Sequence, residues 1–130
     1  MLLALLICDQ VVRDPATGKH NLLGLFTRIS AKSFPSLHPH LQVFVSLTNG
    51  HGRASGQLRL VREGEEAPAQ VLLSGTIEFP SPLAVVELVF SIVNMPLPAP
   101  GRYSCDFYCN GVLLGSRPFE AVLAETPGAK

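Results

Sequence analysis

Hydrophobic and polar residues alternate with a period of two along most of this chain, the mark of strands with one buried face. In "AQVLLSGTIEF", Val71, Leu73, Gly75, Ile77 and Phe79 fall on one side, with Leu72, Ser74, Thr76 and Glu78 on the other. "LAVVELVFSIVN" sets Ala84, Val86, Leu88, Phe90 and Ile92 inward against Glu87 and Ser91. "LQVFVSLT" opposes Leu41, Val43, Val45 and Leu47 to Gln42, Ser46 and Thr48, and "QLRLVRE" opposes Leu58 and Leu60 to Arg59. No segment carries the wider period of an amphipathic helix.

Turn residues divide these runs. Asn110-Gly111 is the pair favoured by a two-residue type I′ hairpin turn, because both positions need positive φ, and it joins Arg102–Cys109 to Val112–Leu123. "DPATGK" reads as a turn between the first two strands. "FPSLHP", "NGHGRASG" and "REGEEAP" read as connections, and the prolines of "MPLPAPG" exclude a continuing central strand. The result is an all-β fold, a single-domain antiparallel β-sandwich of immunoglobulin-like type with about eight strands. It should span residues 1–123, with a flexible tail at 124–130. Tyr103 follows a proline-glycine turn, as in the tyrosine corner of such sandwiches. The chain has no tryptophan, so the antibody-type core is absent.

The first two strands break the alternation. "MLLALLICDQVV" and "NLLGLFTRI" are apolar on both faces, whereas a strand with one solvated face should alternate. Either a loop or a neighbouring subunit must cover them. The second is favoured, which makes Leu2, Leu3, Leu5, Leu22 and Phe26 candidate interface residues. Composition points the same way. Charged residues make up 15% of the chain, against roughly 25% in an average domain. So little charge leaves apolar surface exposed, and such surface marks contacts. The expected partner is protein, as a homo-oligomer or larger assembly.

Ten basic residues balance ten acidic ones and are scattered, so no field draws nucleic acid or an anionic membrane. The apolar start "MLLALLIC" has no preceding basic residue and falls far short of the ~20 residues that a spanning helix needs. A buried strand and a cytoplasmic protein are expected. The three cysteines, Cys8, Cys105 and Cys109, form no complete disulfide framework. Cys105 and Cys109 lie ~13 Å apart on one strand and cannot bridge, and Cys8–Cys105 pairing across two sheets stays open.

Candidate chemistry is sparse. Three of the four histidines lie between Ser33 and Gly52. His38 and His40 could hold a metal as a His-x-His pair, giving a metal-dependent binding protein or hydrolase, but "AKSFPSLHPH" offers no carboxylate or cysteine as third ligand. With antiparallel neighbours, His20 should fall at the end of the sandwich that carries His51. "ATGK" lacks the first glycine, the hydroxyl residue and the helix of a phosphate loop, and "GRASG" has the wrong spacing for a nucleophile elbow. Asp9 and Asp106 would meet only if their strands pair. Tyr108 is the one aromatic placed to serve as a saccharide platform. No catalytic residue and no cofactor is expected.

The segments "ICDQVVRDPATGKHNLLGLF", "FPSLHPHLQVFVSLTNGHG" and "PAPGRYSCDFYCNGVLLGSRPF" together resemble a family of small bacterial proteins of unknown function. Its members begin near a Cys-Asp-x-Val strand, continue with a Gly-Lys-x-x-Leu-x-Gly-x-Phe hairpin and end in a Pro-Gly-x-Tyr strand. The resemblance implies an immunoglobulin-like sandwich and carries no activity, cofactor or catalytic residue. The reading that follows is a non-enzymatic, self-associating interaction module. Tyr103, Asn110 and Gly111 serve it as structural residues.

Overall fold

The computed structural model describes residues 1–64 and 69–124; part of the "REGEEAP" connection and the tail from 125 onward lie outside them. Nine strands occur among the described residues: β1 (Leu2–Arg13), β2 (His20–Leu25), β3 (Arg28–Ala31), β4 (Ser36–Leu47), β5 (Gly52–Arg62), β6 (Gln70–Phe79), β7 (Val86–Leu97), β8 (Gly101–Cys109) and β9 (Val112–Leu123). One sheet has four strands in the order β2-β1-β4-β7, and the second has five in the order β3-β9-β8-β5-β6. All pairs are antiparallel except β3 with β9. The core lies between the sheets. Ile7, Leu41, Val43 and Val45 come from the first sheet and Leu58, Ile77, Tyr103, Phe107 and Phe119 from the second.

The β8–β9 turn forms as expected, with Asn110 at φ 51° and Gly111 at φ 78°. The Asn110 side chain also accepts the Ser55 N–H at 2.8 Å, tying the turn to β5. Tyr103 is buried, stacks on Phe119 and donates its hydroxyl to Ala99 O at 2.6 Å, so the tyrosine corner is present.

Four local expectations differ. "NLLGLFTRI" is two strands, not one: after Leu25 the chain leaves the first sheet, and Ile29 and Ala31 are buried on β3 in the second. "GRASG" belongs to β5, and Gly56 marks a close approach instead of a loop, since a Cβ there would stand 2.6 Å from Ile77 Cδ1. β6 alternates as expected at Ile77 and Phe79, but a register shift opposite Leu58 and Arg59 reverses its phase. Leu72 then packs on the core while Val71 and Leu73 are exposed.

"FPSLHP" is the fourth. Ser36–Pro39 begins β4, although β4 is an interior strand. Pro39 fits because β1 pairs with β4 only from Leu2 to Cys8, ending at Gln42. Beyond Gln42 that flank of β4 has no strand partner among the described residues, so a proline there breaks no ladder on that side. Likewise β7 runs through Pro96, which an edge strand tolerates.

Candidate functional site

The β1–β2 hairpin, singled out by its two apolar faces, is built in two parts. From Leu2 to Cys8, β1 is an ordinary sheet strand: Leu5 and Ile7 enter the core, and Leu6 pairs with Phe44 of β4. Arg13, seven residues further along β1, pairs with His20. A straight strand would carry His20 ~23 Å from Phe44. The two rings instead meet edge to face, with centroids 5.5 Å apart. The far part of the hairpin therefore folds back over the outer face of its own sheet. Gly24, at φ +69°, lies at the bend, where a side chain would be strained and would collide with the Asp9 carboxylate.

Polar contacts hold the fold-back. The Val11 N–H donates to Gln42 Oε1 at 2.5 Å, and Gln42 Nε2 donates to Ser91 Oγ at 2.8 Å. One side chain of β4 thus links the hairpin to β7. His20 Nδ1 lies 3.3 Å from Glu87 Oε1, also on β7. Beneath this cover, Cys8, Phe44 and Ser46 are buried on what would otherwise be a solvated face. Half of the two-sided apolarity is satisfied within the chain.

The candidate interface residues divide accordingly. Leu5 is a core residue, and Leu2 and Phe26 pack against the core. Leu2 occupies the space over Gly115 that a Cβ would need. Leu22 is half-buried, and Leu3 alone of the five is exposed. The exposed apolar side chains of this hairpin also include Val12, Leu23 and Leu25, which lie within the doubly apolar stretch Leu2 to Phe26 but outside the five candidates. β2 is also a sheet edge, so one side of its backbone has no strand partner among the described residues.

The histidines do not pair at two ends. β2 and β4 both run antiparallel to β1 and hence parallel to each other, and His20 lies over the middle of β4. His38 is half-buried with its ring 6.1 Å from Phe26, and burial holds its pKa below the ordinary value; His40 is exposed. Among the described residues, no three His, Cys, Asp or Glu side chains cluster as a metal site would require.

Asp9 and Asp106 belong to different sheets and are not brought together by strand pairing. Asp106 accepts the Ser104 hydroxyl at 2.7 Å. Tyr108 is no open platform, since the Arg59 guanidinium sits 3.9 Å above its ring. All three cysteines are free thiols. Burial pushes the Cys105 thiol up to about 12 and raises that of Cys8, so neither is an activated nucleophile. No helix among the described residues is long and apolar enough to cross a membrane.

Comparison with known proteins places this architecture. Residues 3–122 match DUF6941, a family of unknown function, and the chain belongs to that family. None of the curated proteins matches. Among solved structures, the chain is similar to the alkylpurine DNA glycosylase AlkC of Pseudomonas fluorescens, bound to DNA containing an abasic site analog. The TM-score is 0.51 at 15% identity, over 91% of this chain and 30% of that one. It is also similar to a β-glucosidase of Listeria innocua, in complex with isofagomine, with a TM-score of 0.52 at 9% identity over 92% of this chain and 16% of that one. The chain spans under a third of either neighbour, and at these identities the likeness is one of fold.

Proposed function

We propose that this member of a family of unknown function is a non-enzymatic, cytoplasmic interaction module that self-associates through edge strand β2. The observation that carries the reading is the exposure of Leu23 (50%) and Leu25 (56%) on a strand whose outer backbone edge has no strand partner among the described residues. Unpaired edges recruit further strands, and folds normally guard them with charge, proline or brevity. β7 carries Glu87 and Pro96, β6 carries Glu78, and β3 has only four residues, one of them Arg28. β2, "HNLLGL", has no Asp, Glu, Lys or Arg and no proline. A net charge of zero leaves no long-range repulsion between copies. The free thiols Cys8, Cys105 and Cys109 suit a reducing compartment.

The test is sedimentation velocity of the untagged chain beside a Leu23→Lys/Leu25→Lys variant. The reading expects an oligomer that the variant converts to a folded monomer, because neither side chain belongs to the core. A wild-type monomer at every concentration would refute it.

A further inference from the structure

The chain crosses from one sheet to the other after β2, and the crossing leaves part of an outer strand in each sheet uncovered. β2 pairs with β1 only from Cys8 to Arg13, and the Phe26 N–H then donates to Ile7 O at 3.3 Å. From Leu2 to Leu6, β1 has β4 on one flank, and its other flank has no strand partner among the described residues. Likewise β3 pairs with β9 only from Glu120 to Leu123, so the same flank of β9 has no such partner from Val112 to Phe119. Only Phe26 and Thr27 separate β2 from β3, which puts both bare flanks on one side of the sandwich.

The two flanks are protected unequally. On β9, the Glu120 N–H donates to Thr27 O, so alternation turns Pro118 toward the same flank, where it offers no N–H. A proline at such a place guards an edge. On β1, the same alternation counted from Ile7 turns the N–H and C=O of Leu5 toward the bare flank. The stretch Leu2 to Ile7, "LLALLI", contains no Asp, Glu, Lys, Arg or proline.

Arg117 brings a charge to this seam. It is in register with the buried Cys105 and shares a face of β9 with Gly115, where a Cβ would meet Leu2 of β1. Arg117 therefore leaves β9 on the face turned toward β1. Its Nε is buried without a hydrogen-bond partner among the described residues. Nor does it form an ion pair among them, whereas Arg28, Arg53 and Arg102 each do. A guanidinium does not shed its proton, so a buried, unanswered N–H is a standing cost that a carboxylate would relieve.

We propose that the bare flank of β1 receives an extended segment of a partner protein, which adds a strand beside Leu2–Leu6 and sets a carboxylate against Arg117. In strand addition the backbone pairing supplies affinity, and here the charge-assisted pair selects the segment. Leu2–Leu6 spans ~17 Å at about 3.3 Å per residue, room for one short strand. Leu3, Val112 and Leu113, exposed on the two strands, offer it apolar contact. A second copy of "LLALLI" would bring no carboxylate to Arg117, which favours a different protein over this chain. The surface is separate from the β2 edge and does not depend on it.

The test is selection of phage-displayed random dodecapeptides on the full chain, followed by calorimetric titration and hydrogen–deuterium exchange with an enriched peptide. Enriched sequences should share one Asp or Glu within a run of alternating apolar residues. The bound peptide should slow exchange at the Leu5 amide and leave the β2 amides unchanged. Affinity should fall about tenfold or more in Arg117→Gln, and stay unchanged in Arg53→Gln, whose pair with Glu78 lies elsewhere. Replacing the peptide's own acid by its amide should cost the same factor, which keeps the test open should Arg117→Gln fail to fold. No enrichment over a bare support, unchanged exchange at Leu5, or equal affinity for the amide peptide would overturn the proposal. Protection of Leu5 that rises with protein concentration alone would give the flank to a second copy and overturn it as well.

Discussion

The near and far halves of the β1–β2 hairpin have similar apolar sequence and opposite structural roles. In the near half, Leu5 and Ile7 fill the core between two sheets, and the strand pairs with β4 from Leu2 to Cys8. In the far half, Val11, His20 and Leu22 are carried over the outer face of the sheet, while Val12, Leu23 and Leu25 remain in solvent. The lesson is that apolarity on both faces of a strand pair does not name its cover. Here the chain itself covers one surface, and a second has no partner among the described residues.

The largest expected effect separates the halves by stability. Ile7→Ala should cost about 2–5 kcal/mol in urea unfolding, the range for a large-to-small change in a packed core. Leu23→Ala should stay within about 0.5 kcal/mol in the monomer, as for an ordinary surface position. Equal costs would mean that the far half is as integral as the near half.

An intermediate effect tests the fold-back. Gln42→Ala removes the acceptor for Val11 and the donor to Ser91, and should cost about 1 kcal/mol, because water can reach the partly exposed groups left behind. Amide exchange at Val11 and Leu22 should quicken while exchange at Ile7 stays unchanged. A uniform change along β1 would contradict a separate outer half.

The smallest effect is in pH. Burial lowers the pKa of His38, so as pH falls through the ordinary histidine value of about 6.5 the unfolded chain takes up this proton before the native one does. That group's contribution is fully present at higher pH and is lost progressively as pH falls from about 6.5 toward the folded value. Urea midpoints across this window should decline less in His38→Gln than in the wild type. Identical pH profiles would place His38 in solvent.

Strand identity was legible wherever one strand face meets one core, as in the alternation of β4 from Leu41 onward and the Asn110-Gly111 turn. It was obscured where a residue does something that depends on distant partners. Pro39 sits in a strand because β1 has already turned away at Cys8, and Gly56 sits in one because Ile77 and Phe107 need its space. Phe44 looks outward by parity and is buried beneath a hairpin from earlier in the chain, whose His20 ring lies against it. The candidate site suffered from the same blindness: Leu5 and Leu23 are alike as letters and differ only in which half of the hairpin holds them.

The most direct test of the central claim, that β2 is the open edge through which copies join, is hydrogen–deuterium exchange at low and high protein concentration. The account predicts that protection of the β2 amides, His20 to Leu25, rises with concentration while the edge amides of β7 do not change. Exchange at β2 that is independent of concentration, or protection appearing at β7 instead, would contradict it.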